Sequence, residues 1–137
     1  REFSYALRDT GLTKLNEDIV VPRSRLAALF KFAERLQKKS GIPVACFGHA
    51  GDGNIHVNVM IDKSDPEQEV MGEKVLDALF KQVLKWNGAI TGEHGVGLAK
   101  MPWIKQALSA ESLALHQTLK SALDPKNILN PGKFVQS

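Results

Sequence analysis

The run NIHVNVMI, residues 54–61, alternates polar and apolar side chains from Asn54 to Val59, and a glycine-punctuated stretch, AGDG at 50–53, stands directly before it. Successive side chains of a strand point to opposite faces. The run therefore predicts a strand with Ile55, Val57, Val59 and Ile61 on one face and Asn54, His56 and Asn58 on the other. The preceding IPVACF, residues 42–47, reads as a second strand. With 50–53 as a hairpin loop, His49 faces Asn54 across the ladder and lies diagonal to His56, roughly 7–8 Å away at the backbone. Gly51 and Gly53 permit positive φ in the turn, and Asp52 is a natural turn residue. A hairpin with one apolar face needs a cover, and that requirement constrains the rest of the chain.

Residues at helical spacing supply it. Leu26, Leu29, Phe30, Ala33 and Leu36 recur between Ser24 and Lys39, with Pro22 suited to the first turn and Gly41 closing the helix. SDPEQE at 64–69 starts a second helix, with acids where the helix dipole favours them; Val75, Leu76, Leu79, Phe80, Val83 and Trp86 mark its buried face. WNGAITGEHGVG at 86–97 reads as a helix stop, a short strand and a glycine-rich loop. A third helix starts near Ser109, carries Leu115, His116, Leu119 and Leu123, and stops at Asp124–Pro125. Residues 1–21 have no clean period, although Val20, Val21 and Pro22 end an extended run. The order helix, strand, strand, helix, strand, helix predicts an α+β domain: an antiparallel sheet with helices on one face. Three strands make a thin sheet. Together with Arg1 in place of an initiating Met, this leads to the expectation of a portion of a longer protein.

Composition excludes several classes. A hydrophobic fraction of 43% and a charged fraction of 24% belong to an ordinary globular protein, and no apolar run has the length of a membrane-spanning helix. The net charge of +3 comes from lysines spread along the chain, which suits small anions rather than nucleic acid. The single Cys46 allows no internal disulfide; it reads as a core residue in a reducing, cytoplasmic setting.

His49 and His56 converge on the polar face of the hairpin, where two imidazoles can share a metal ion. TGEHGVG at 91–97 adds Glu93 and His94 in a loop irregular enough to bring both into one cleft. Two histidines and a carboxylate with an open fourth position form the ligand set of a catalytic metal site; they suit zinc first, with iron or manganese also accommodated. His94 is then left as a general base. The residues alone leave alternatives standing: a hydrogen-bonded structural pair at the hairpin, or an anion nest of backbone N–H groups in either loop. Asn58 either binds substrate or orients a ligand. Neither loop matches a dinucleotide fingerprint or a P-loop.

GHAGDGNIHVN at 48–58, TGEHGVG at 91–97 and LKSALDPKNILNPGK at 119–133, with EDIVVPRSRL at 17–26, resemble the C-terminal region of FAD-linked D-2-hydroxyacid dehydrogenases and oxidases. These are flavoproteins of the vanillyl-alcohol-oxidase type, such as glycolate oxidase, D-lactate dehydrogenase and D-2-hydroxyglutarate dehydrogenase. The resemblance implies that residues 1–125 are the C-terminal part of a ferredoxin-like cap and that 126–137 return to an FAD-binding domain. It implies metal ligation by His49, His56 and Glu93, a catalytic base at His94, substrate contacts at Asn58, Arg8 and Lys14, and Asn130 near the flavin. The implied partners are FAD, a divalent metal, a small anionic 2-hydroxy acid, and an electron acceptor that is a protein or a quinone. The cytoplasmic setting would then extend to the periphery of a membrane. The chain alone would be half of an active site, and a truncated sheet edge could pair with a second copy. Two other classes remain: a metal-dependent hydrolase with His94 as base, and a non-catalytic ligand-binding or assembly module.

Overall fold

The computed structural model describes residues 10–134, and the chain divides after Glu93 into two compact units. The first unit is α+β, as expected. Its sheet holds β1 (Thr13–Val20), β2 (Val44–His49) and β3 (Asn54–Ile61) in the order β1-β3-β2, antiparallel throughout. β2 and β3 form the expected hairpin, with His49 opposite Asn54 and Phe47 opposite His56. The turn closes with the Gly53 N–H donating to the His49 carbonyl at 3.1 Å, while the Asp52 carboxylate accepts from the Asn54 N–H at 3.0 Å. Gly53 has φ 82°, and a Cβ there would stand 2.1 Å from the Val21 carbonyl oxygen, so no other residue fits. Gly51, expected to share that role, does not have positive φ.

β1 is the strand that periodicity does not reveal. Its partners are Leu15 with Val59, Glu17 with Val57 and Ile19 with Ile55 on one face, and Asn16 with Asn58 and Asp18 with His56 on the other. Glu17 and Asp18 are both buried, so two carboxylates occupy positions where an alternating pattern would show one apolar residue. Conversely, the strand expected near residue 89 reduces to a single bridge between Val20 and Ala89, with N–H···O distances of 3.0 and 2.9 Å.

Two helices belong to this unit. α1 (Leu26–Ser40) follows a 3-10 turn at Arg23–Arg25, buries Leu29 and Ala33, and stops at Gly41. α2 (Pro66–Lys85) is capped by Asp65, whose side chain accepts from the Glu67 N–H at 2.9 Å. Gly72 of α2 lies against Ile61 and Leu15, which places the helix on the apolar face of the sheet. Val75, Leu76, Leu79, Phe80 and Val83 complete that core. Trp86 meets Phe32 edge-to-face at 6.0 Å and ties the end of α2 to α1.

The second unit contains α3 (Met101–Ala107) and α4 (Ala110–Leu123). α3 was not expected; it is only 7 residues long, with Pro102 in its first turn and Ile104 buried. α4 starts where the sequence predicts, with the Ser109 side chain accepting from the Ser112 N–H, and ends at Asp124. The Asp124 carboxylate then accepts from the N–H groups of Ile128 and Leu129 at 3.0 and 2.9 Å and pairs with Lys120, which folds the following turn back on the helix. Lys120 holds that carboxyl below the usual carboxylate range. His116 bonds its own helix at the Ser112 carbonyl and meets Phe134 edge-to-face. No helix among the described residues is long and apolar enough to cross a membrane.

Candidate metal centre

β3 carries His56 at its centre, and β2 ends on His49; the hairpin register brings their rings to 6.1 Å at an interplanar angle of 78°. Phe47, directly opposite His56, packs a tilted ring against it at 5.4 Å and limits how the imidazole can turn. Glu93 reaches the same place from the loop after the Val20–Ala89 bridge, with its Oε1 3.3 Å from His56 Nε2. One ligand atom from each of His49, His56 and Glu93 lies within 4.8 Å of the others. A tetrahedral ion bonded at about 2.0–2.1 Å holds its donors roughly 3.3 Å apart. The His56–Glu93 pair already stands at that spacing, and a ring nitrogen of His49 lies within 4.8 Å of both. Donor chemistry and spacing therefore fit a divalent metal. Glu93 is more than half exposed and His56 nearly buried, so as a bare ion pair the two would contribute little in water.

The loop that delivers Glu93 is held by a residue that sequence reading missed. Asp18, fully buried in β1 and opposite His56 in the ladder, accepts hydrogen bonds from the Gly92 N–H at 2.7 Å, the Glu93 N–H at 2.5 Å and the Thr91 hydroxyl at 3.2 Å. The available signal was an acid inside the otherwise extended run that ends at VVP. The loop also passes close to β3: a Cβ at Gly92 would meet the buried Asn54 amide at 2.7–2.8 Å, so a larger residue would have to displace that side chain.

Asn58 lies on the same face as His56, two residues along β3, and is completely buried. Neither its Oδ1 nor its Nδ2 has a hydrogen-bond partner among the described residues, an arrangement that costs roughly 1–3 kcal/mol unless a ligand or water supplies one. Lys14, opposite Met60, shares this face. Arg8 lies outside the described residues. His94 is exposed and opens the second unit. Asn130, also in the second unit, is exposed with φ 49° and lines an open 350 Å³ pocket with His116, Leu119 and Phe134. Cys46 points to the apolar side opposite Val57, away from the face that carries His56, and burial pushes its thiol up to about 11.

The first unit is α+β, and its two sheet-borne histidines and loop carboxylate could together hold a divalent metal. The chain belongs to the family of FAD linked oxidases, C-terminal domain, whose model matches residues 1–134. It is 40% identical to the glycolate oxidase subunit GlcD of Bacillus subtilis (strain 168), over 89% of this chain and 26% of that one. Identity to the mitochondrial D-lactate dehydrogenase (cytochrome) of Arabidopsis thaliana is 37%, over 86% of this chain and 21% of the relative. The D-2-hydroxyglutarate dehydrogenase of Xanthomonas citri is 36% identical over 69% of this chain and 20% of its own length. The chain thus spans 20–26% of the length of these relatives. A 4-ethylphenol oxidase from Gulosibacter chungangensis superposes with a TM-score of 0.60 at 21% identity, covering 97% of this chain and 27% of that one, and shows the fold alone.

Proposed function

We propose that this chain is the substrate- and metal-binding cap region of a flavin-dependent enzyme that oxidises a small D-2-hydroxy acid, of glycolate or D-lactate type, to the 2-oxo acid. The single observation that carries the reading is the convergence of His49, His56 and Glu93. A divalent metal held there would supply Lewis-acid polarisation of the substrate's hydroxyl and carboxylate, and FAD held by a separate domain would supply the hydride-accepting chemistry. His49, His56 and Glu93 hold the metal. His94 takes the hydroxyl proton, a role assigned on its motif alone. Asn58, buried with both amide atoms open, orients the substrate, and Lys14, with Arg8 on the resemblance alone, favours its carboxylate. Residues 126–137, of which 135–137 lie outside the described residues, are assigned to the return to the flavin domain, with Asn130 beside the cofactor. Electrons pass on to a protein or quinone acceptor, in a cytoplasmic or membrane-peripheral setting. Membership in the family favours this chemistry over metal-dependent hydrolysis.

The test is metal content, by elemental mass spectrometry, of the complete protein and of its His56→Ala variant, alongside dye reduction driven by glycolate or D-lactate. Near-stoichiometric metal and turnover in the parent, with both lost in a variant that keeps its thermal transition, is the expected result. Full turnover in the variant would overturn the proposal, as would its collapse to an unfolded chain.

A further inference from the structure

We infer that Asp18 is a positioning residue for the metal centre: it sets the Glu93 carboxylate against the two imidazoles. The inference rests on the reading of His49, His56 and Glu93 as ligands. Asp18 is 0% exposed, and a carboxylate so deeply buried requires charge-assisted hydrogen bonds. Its donors come from Thr91, Gly92 and Glu93, which lie outside any regular strand or helix; the Gly92 N–H is 74 positions away in the chain. Asp18 also sits directly opposite His56 in the β1–β3 ladder. One side chain thereby fixes the backbone of one proposed ligand while its own backbone shares a register with another. Among the described residues the side chains whose donor atoms converge are His49, His56 and Glu93, without Asp18.

Asp18→Asn preserves size but turns an acceptor into an amide that faces backbone donors. Outer-shell changes of this kind weaken metal binding by about 10- to 100-fold. The experiment uses cobalt(II) as the probe metal in the complete protein, with titrations and visible spectra of the parent, Asp18→Asn, Glu93→Gln and the double variant. The expected result is a 10- to 100-fold weaker site in Asp18→Asn, a cobalt spectrum moved towards that of Glu93→Gln, and a double variant no weaker than Glu93→Gln alone. Asp18→Asn with the parent's affinity and spectrum would overturn the inference while leaving the metal reading intact. Additive losses in the double variant would overturn it too, because Asp18 would then act independently of Glu93. Failure of the parent itself to bind cobalt would defeat the metal reading and, with it, this role. Asp18→Ser, which keeps one acceptor oxygen, is the second variant; absence of a folded circular-dichroism spectrum in both would make Asp18 a folding residue and reject the proposal.

Discussion

In α2 the residues Leu79, Phe80 and Val83 reach 0% exposure, whereas Leu115, Leu119 and Leu123 of α4 stand 51–80% exposed. Both helices show apolar residues at the same 3- and 4-residue spacing in sequence. The difference lies in what each stripe meets. α2 lays its stripe on the apolar face of a sheet formed by its own unit, with Gly72 allowing close approach to Ile61. α4 has no buried residue at all, and its unit also leaves Ile128 and Leu129 largely exposed. Spacing fixes that a helix has an apolar side; whether that side contributes stability depends on a partner the spacing does not encode.

The sharpest way to break this contrast is a pair of leucine truncations. Leu79→Ala is expected to cost about 2–5 kcal/mol in urea unfolding through the cavity it leaves, while Leu123→Ala stays within about 0.5 kcal/mol of the parent. Comparable losses at both positions would show that α4 is as firmly packed as α2. A smaller effect is expected at the end of α4. Asp124→Ala removes the acceptor for the Ile128 and Leu129 N–H groups, so those amides should lose hydrogen-exchange protection while amides of β3 keep theirs. Protection unchanged at 128 and 129 would mean that the turn is held by something other than Asp124.

The smallest effect is expected from Cys46. Burial pushes its thiol from the usual value near 9.0, which holds in the unfolded chain, up to about 11 in the folded one. Between those values the unfolded state releases its proton first, so rising pH favours unfolding. Stability of the first unit should therefore be flat in this respect below pH 9 and decline from 9 towards 11, and Cys46→Ala should remove that decline. A Cys46→Ala variant with the same alkaline slope would place the cause elsewhere.

Those experiments bear on how much of the molecule can be read from its sequence. The hairpin was legible because alternation and turn chemistry are local, and α1, α2 and α4 because caps and spacing are local too. β1 was not, since Glu17 and Asp18 interrupt the apolar count; their burial depends on partners brought from elsewhere. α3 is too short for periodicity to register. At the candidate site, the histidines and Glu93 could be found because their residue types are those metals use. Asp18 shows only as an acid in an extended run, because its partners include backbone N–H groups of Gly92 and Glu93, which every non-proline residue carries.

The 20-residue helix α2 lies between His56 and Glu93 in the chain. A chain that has closed only its β2–β3 hairpin holds the two imidazoles without Glu93. Asp18 of β1 holds the Glu93 backbone, so the third donor stands beside His56 only where β1 is paired with β3 and the loop after α2 has returned to it. On the proposed ligation, tight metal uptake would act as a clock that starts only when the sheet is complete, and half-folded chains would be left without the ion.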